Sequence, residues 1–447
     1  MIQDTRFMNP ESYIVNRIIV HIDFNSFFAT VEQQANPRLR GKPIGVTGGD
    51  RTTRTVLGAA SVEAKKFGVR TGMQIWEARQ LCPELILVNG DSDKYLDTTQ
   101  KFLNILKDYS PYLEVFSIDE CFLELTGHRG QCTEKDNYNL LQLATEIKSR
   151  IRAEIGEWIT CSIGISYNKL MAKLAGSLYK PDGLVMIADQ EAAQWILDRV
   201  ELDEICGIGY KTKKRLLNMG VTNFKSLRQA SKQTLMVSFK SYGEVLFNYA
   251  RGIDPTPIVP FYQKPEVKSV GHRHTLSHDT ESAEEVKQIF LKITELISRK
   301  LRHKKLVGET VSMWFRYAFA EALEYSNGST SGDGLALRSF SGRGMQLTIA
   351  PTSSGLEIFQ AAWQTFLRLW NKDKIRMVGV SVSNLTSAYP RNRTFLEDRL
   401  KEERILQALD KVNDRYGEFT LQRAVLLGSA KVSRKPNPFL ADRRFKL

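Results

Sequence analysis

The sequence predicts an α+β protein of several domains. Three features carry that expectation: a length of 447 residues, a strand-to-helix unit near the N-terminus, and a strand, helix, strand, strand, helix, strand order beyond a proline-rich segment. Domains of about 150 residues make room for roughly three. With 42% hydrophobic and 10% aromatic residues the chain can fill several cores, which excludes collagen-like and wholly disordered classes. No apolar run approaches the roughly 18 residues of a membrane span.

The first unit is Arg17-Ile18-Ile19-Val20-His21-Ile22-Asp23, a β-branched run ending in an acid, followed by Asn25 as a candidate cap and a helical pattern through Phe28, Val31 and Glu32. From Ser61 to Arg79 the apolar spacing predicts two short helices separated by Gly68 and Gly72. Leu113 to Leu125 reads as two strands with Asp119 and Glu120 between them. A helix over Asn139 to Glu154, a strand over Ile159 to Ile165 and a helix from about Asn168 follow.

Gly207-Ile208-Gly209 precedes a helix carrying Lys211, Lys213, Lys214 and Arg215. Asp254 to Pro260 is proline-rich and reads as an extended linker. Beyond it come strand Lys268 to Leu276, helix Ala283 to Lys304, strands Glu309 to Phe319 and Gly344 to Ile349, helix Leu356 to Trp370 and strand Arg376 to Leu385. Ser326 to Gly342 is a Gly/Ser-rich insertion, read as a mobile loop, and Phe395 to Tyr416 is an amphipathic helix read as packing.

Of the net charge of +13, +11 falls on residues 264–447, where 31 basic face 20 acidic side chains. A charge confined to one end suits a polyanion such as nucleic acid. Five scattered cysteines, Cys82, Cys121, Cys132, Cys161 and Cys206, form no CxxC pair and read as buried small side chains. Met1 to Asn16 contains Asp4 and Glu11 and no apolar core of a secretory signal, so a cytoplasmic location is expected.

Asp23 closes one strand, and Asp119 with Glu120 stands at a second strand end. Three carboxylates at one sheet edge repel unless cations neutralise them, and hard oxygen donors select Mg²⁺ or Mn²⁺. That is the equipment of two-metal phosphoryl transfer. Successive strand residues face opposite ways, so Asp119 and Glu120 converge only at a turn or bulge, and a hairpin tip at this pair is expected.

Ile19 to Glu32, Ser117-Ile118-Asp119-Glu120, and Gly164-Ile165-Ser166-Tyr167-Asn168-Lys169 through Lys180-Pro181-Asp182-Gly183 resemble the Y-family translesion DNA polymerases of the bacterial polymerase IV type. The resemblance covers residues 17 to about 385. It implies a right-hand polymerase with a ferredoxin-like palm (1–24 and 91–186) split around small fingers (25–90). A helical thumb with a helix-hairpin-helix (187–253), a linker (254–267), a βαββαβ little finger (268–385), and a C-terminal helix and basic tail (386–447) follow. The implied activity is low-fidelity, template-directed addition of dNTPs to a primer 3′-hydroxyl, with lesion bypass in DNA repair. The implied cofactor is two Mg²⁺ ions, with Mn²⁺ as the alternative. Primer-template DNA and a dNTP are the implied partners, the chain acting as a monomer.

Carried over by position, the resemblance makes Asp23, Asp119 and Glu120 the catalytic metal ligands, with the Phe24 carbonyl beside them. Phe28 falls at the steric gate, where a ring against the sugar C2′ excludes a hydroxyl. Phe27 adjoins it, and since helical geometry points neighbours about 100° apart, at most one of the two rings need be core. Lys180 matches the triphosphate lysine. Val62 and Lys65 stand where the family has Tyr and Arg against the phosphates. Lys65 keeps the charge without the planar fork, which predicts a raised nucleotide KM, offset in part by Arg51 or Arg54.

Gly207 and Gly209 resemble a helix-hairpin-helix turn whose amides approach a DNA phosphate, with Lys211, Lys213 and Lys214 adding sequence-blind charge. His272, His274 and His278 lack Cys or carboxylate company, so His272 and Arg273 are read as a strand facing DNA rather than as metal ligands. Pro438-Phe439-Leu440 and Phe445-Lys446-Leu447 are the late candidates for a sliding-clamp contact. Two rival readings are a catalytically weak polymerase-like accessory protein, for which Val62 and Lys65 speak, and a helix-hairpin-helix DNA-binding protein, which has no use for the acids.

Overall fold

The computed structural model describes residues 17–48, 55–125, 134–263, 266–318, 342–388, 397–417 and 419–428. Its contacts form two compact units, divided between Lys264 and Pro265. The first begins with β1 (Ile19–Phe24), α1 (Phe27–Ala35), β2 (Ile44–Thr47), β3 (Leu57–Ala60), α2 (Val62–Lys66), α3 (Ile75–Leu81), β4 (Ile86–Asn89) and α4 (Ser92–Lys107). It continues with β5 (Leu113–Val115), β6 (Glu120–Glu124), α5 (Glu134–Glu154), β7 (Cys161–Ser166), α6 (Lys169–Leu178) and β8 (Leu184–Ile187). Helices α7 (Gln190–Leu197), α8 (Tyr210–Leu217), α9 (Phe224–Gln229), α10 (Lys232–Phe239) and α11 (Ser241–Tyr249) complete it.

The β-branched run of β1 lies at the centre of a five-stranded sheet of order β5-β6-β1-β7-β8. Strand alternation divides β1 between two faces. Val20, Ile22 and Phe24 enter the main core, which α4 and α5 line with Phe102, Leu103, Leu106, Ile147 and Ile151. Ile19, His21 and Asp23 share the other face with their partners Glu124, Phe122 and Glu120 on β6 and Ser166, Gly164 and Ser162 on β7. A smaller three-stranded sheet, β3-β2-β4, carries α2 and α3. The two short helices expected there are present, with Gly68 and Gly72 between them at φ 85° and 88°.

Helix α6 lies directly on the His21 face because two glycines meet there. A Cβ on Gly164 would sit 2.1 Å from the Ala172 carbonyl oxygen and 2.2 Å from the Gly176 nitrogen, and one on Gly176 would sit 2.8 Å from His21 Nδ1. Gly164→Ala must therefore lift the helix, at a cost of about 3 kcal/mol. Gly209→Ala, with nothing within 4 Å of its Cβ, is the matched control. Urea denaturation should show a lowered midpoint for the first and a near-native one for the second.

Much of the segment 254–267, expected as a linker, is packed on the first unit. Ile258 packs with Ile19, Phe122 and Ala172. The Val259 and Phe261 N–H groups donate to Glu114 Oε2 and the Leu113 carbonyl, both at 2.8 Å. β5 is an edge strand, and these bonds satisfy groups it would otherwise leave open.

The second unit runs β9 (Ser269–Thr280), α12 (Ala283–His303), β10 (Leu306–Tyr317), β11 (Gly342–Thr352), α13 (Gly355–Leu369) and β12 (Ile375–Ser387). This is the βαββαβ order expected, folded as an antiparallel sheet β11-β10-β12-β9. One face packs Met313, Phe315, Val378 and Val380 against Phe290 and Phe366 of the two helices. Helix α14 (Glu397–Tyr416) is tied to α12 by a two-pronged Arg302–Asp410 pair at 2.6 and 2.7 Å. Arg51, Arg54, Cys132, Ser326 to Ser341 and both clamp candidates lie outside the described residues. Cys82, Cys121 and Cys161 are buried free thiols, whereas Cys206, expected to be buried, is exposed. No described helix is long and apolar enough to cross a membrane.

Candidate active site

Asp23, next to last on β1, pairs directly with Glu120, the first residue of β6. Asp119 lies in the turn between β5 and β6, where the Phe116 and Ser117 N–H groups both donate to the Glu120 carbonyl at 3.0 Å. The Phe24 N–H donates to the Asp119 carbonyl at 3.0 Å, and the Ser117 hydroxyl to Asp119 Oδ1 at 2.5 Å. A tight hairpin tip thus sets neighbouring acids beside the end of β1. Burial, and secondarily the Asp23 charge, push the Asp119 carboxyl above its ordinary range, against the Ser117 hydrogen bond and Lys180.

Cations surround these acids. Lys180 Nζ reaches Asp23 Oδ1 at 2.6 Å, and Lys173 of α6 donates to Glu120 Oε1. His21 Nε2 lies 2.5 Å from that same oxygen. Burial, then the Lys173 charge, lower the His21 pKa to about 3, so the neutral ring donates its Nε2–H to the carboxylate. His21 Nε2 and one oxygen each of Asp23 and Glu120 lie within 4.8 Å of one another; with its Nε2–H given to Glu120, His21 orients that carboxylate and leaves the two acids as the ion ligands. The hard carboxylate oxygens fit a divalent cation such as Mg²⁺.

The loop bearing Lys180 is fixed by Asn25, whose place after β1 makes it the expected helix cap. Ser26 holds the cap position in the left-handed region, at φ 49°. Buried Asn25 instead accepts the Asp182 N–H at 2.8 Å and donates to Ser162 at 2.9 Å. Lys65, on α2 beside Val62, has its ammonium pKa lowered by desolvation first and Lys180 next, with Asp23 and Asp119 opposing. It is thus within electrostatic reach of Asp23 and Asp119.

Helical geometry requires at most one of Phe27 and Phe28 to be core, yet both are buried, at 3% and 5% exposure. Helix α4 wraps both: Phe28 stacks on Tyr95 at 4.3 Å, and Phe27 meets Tyr95 and Phe102 edge-on or tilted at 6.3 and 6.5 Å. Tyr95 donates to Glu32 Oε1 at 2.8 Å, and Lys94 binds the other Glu32 oxygen at 2.7 Å. The Phe24 ring is core against Phe102, which leaves only its backbone for a ligand.

Gly207, at φ 104°, and Gly209, the residue before α8, form the turn expected there. Tyr242 braces it by donating to the Gly207 carbonyl at 2.7 Å. Lys211 and Lys214 are exposed, but Lys213 is turned to Asp203 and Glu201 at 2.8 and 3.1 Å. His272 and Arg273 cannot both face one partner, since neighbours on a strand alternate. His272 pairs with core residue Val380, on the face the helices cover, and burial lowers its pKa to about 4. Arg273 lies on the open face, its guanidinium 5.4 Å from the Trp314 ring centre.

Residues 22–177 match the impB/mucB/samB family, 267–395 its C-terminal domain, and 203–254 the DNA polymerase-iota thumb domain. DNA polymerase IV of Pelotomaculum thermopropionicum is 34% identical over 93% of this chain and 97% of its own length. DNA polymerase IV 1 of Bacillus subtilis is 31% identical over 96% and 97%. A solved Y-family DNA polymerase chimera superposes with a TM-score of 0.66 at 25% identity, covering 83% of this chain and 99% of that one. These relatives do not favour the accessory and binding-protein readings. A split five-stranded sheet with acids at the ends of its inner strands, a hairpin-bearing helical segment and a βαββαβ unit in this order agree with them, and the chain belongs to the Y-family DNA polymerases of the polymerase IV type.

Proposed function

We propose that Asp23, Asp119 and Glu120, with the Phe24 carbonyl, hold the divalent ions of this translesion DNA polymerase, and that the ions are two Mg²⁺, with Mn²⁺ as the substitute. The observation that carries this reading is the register of Asp23 opposite Glu120 with Asp119 in the adjoining turn. Bound there, the ions supply charge stabilisation and ease removal of the primer hydroxyl proton. The 3′-oxygen forms a bond to the dNTP α-phosphorus, the bond to the β-phosphate bridge breaks, and pyrophosphate leaves. The protein's own part is positioning and charge. Lys180, released from Asp23, turns to the triphosphate, and Lys65 joins it. Phe28 closes the sugar side, with Phe27 behind it.

DNA contacts follow from exposure and charge. Gly207 and Gly209 present backbone amides, and Lys211 and Lys214 add charge, whereas Lys213 serves the thumb's internal ion pairs. In the second unit Arg273, on the open face of the sheet, contacts DNA, and His272, on the helix-covered face, does not. The protein acts in the cytoplasm as a monomer, and a sliding-clamp contact belongs to the tail. Primer extension with Mg²⁺ and dNTPs tests the reading, and no extension by the wild-type protein at high dNTP overturns it.

Val62 and Lys65 bear on affinity rather than chemistry. Restoring a ring hydroxyl and a planar fork with Val62→Tyr/Lys65→Arg adds charge-assisted bonds of about 1.5–3 kcal/mol each. Steady-state kinetics should show the dNTP KM fall by about tenfold or more with kcat little changed.

A further inference from the structure

We propose that Lys173 is the resident counter-cation of the carboxylate cluster, a positioning residue that holds Glu120 in the nucleotide-free protein and makes divalent-ion binding wait for the nucleotide. The inference rests on the reading of Asp23, Asp119 and Glu120 as metal ligands. Three acids there face three lysines: Lys180 on Asp23, Lys173 on Glu120, and Lys65 within electrostatic reach of Asp23 and Asp119. The free site is therefore formally neutral, with no surplus negative charge to draw in a divalent ion.

The three lysines are not equivalent. Lys180 stands on a loop with its side chain 38% exposed, free to follow a triphosphate. Lys173 is 24% exposed and sits on α6, which the Gly164–Gly176 contact presses onto the sheet. Its ammonium lies 4.9 Å from the Phe116 ring centre, a further hold on its direction. One helical turn earlier, Lys169 is anchored to Glu114 at 2.8 Å. When a triphosphate takes Lys180 and Lys65, Asp23 and Asp119 regain net negative charge, while Lys173 and His21 keep one oxygen of Glu120 occupied and leave the other to an ion. The ion thus binds with the nucleotide and not before it.

Mn²⁺ is the probe, its free concentration read by electron paramagnetic resonance with protein alone and with protein plus dATP. Lys173→Met keeps the aliphatic stem and removes the charge, and should bind Mn²⁺ at least tenfold more tightly than wild type without nucleotide. Lys173→Arg, charge retained, should not. Circular dichroism melting confirms that each variant is folded. Equal or weaker Mn²⁺ binding by folded Lys173→Met overturns the proposal. If Asp119→Asn binds Mn²⁺ with dATP as tightly as wild type, the carboxylate reading itself fails, whatever Lys173→Met does.

Discussion

Asp119→Asn should extend a primer at least about a thousandfold more slowly than wild type and yet unfold at the same temperature or higher. The loss follows from the several kcal/mol of transition-state charge stabilisation that a metal site supplies, each 1.4 kcal/mol being tenfold in rate. The gain follows from burial. The Asp119 carboxyl is held above its ordinary pKa, desolvation being the main cause, so its ionised form costs folding free energy at neutral pH. That cost disappears as pH falls through the raised pKa, and Asn removes it at every pH. Asn also keeps an oxygen for the Ser117 hydroxyl, which now donates to Asp119 Oδ1 at 2.5 Å. Single-turnover extension and a melting curve on one preparation check both halves. A variant that loses activity and melts well below wild type would instead make Asp119 a structural residue.

The acids were legible in the sequence because each sits where a local rule puts it: Asp23 at the end of a β-branched run, Asp119 and Glu120 where two strands need a turn. The second unit was legible for the same reason, since its alternating elements are long and strongly periodic. What surrounds the acids was not. His21 and Lys173 meet on Glu120 only because α6 crosses the sheet, and that crossing depends on Gly164 and Gly176, where a Cβ would strike the facing backbone or ring. Asn25 looked like a cap because caps are local, whereas its partners Ser162 and Asp182 lie far along the chain. The proline-rich segment after Asp254 looked free because its anchors, Leu113 and Glu114, are on a distant edge strand. Contacts of long sequence separation leave no periodic trace.

Phe28→Ala should lower discrimination between dNTP and rNTP by about a hundredfold, measured as the ratio of the two kcat/KM values. A ring excludes a 2′-hydroxyl only if it cannot retreat, and Phe28 has no room to do so. It stacks on Tyr95 at 4.3 Å and 17°, and Tyr95 is pinned through its hydroxyl to Glu32 at 2.8 Å. Lys94, 2.7 Å from the other oxygen, keeps Glu32 from turning away. Forcing an extra oxygen against such a wall costs about 3 kcal/mol, the upper end of ordinary overpacking, which is about two decades in kcat/KM. Removing a buried ring also costs about 3–4 kcal/mol of stability. Because both nucleotides are tested on the same protein, any loss of folded enzyme cancels in the ratio. Tyr95→Leu, which leaves Phe28 in place and takes away its backing, should relax discrimination in the same direction by a smaller factor. If Phe28→Ala leaves the ratio unchanged, Phe28 serves packing alone and the sugar is read elsewhere; if only Tyr95→Leu is silent, the ring is held by Phe27 and the helix alone.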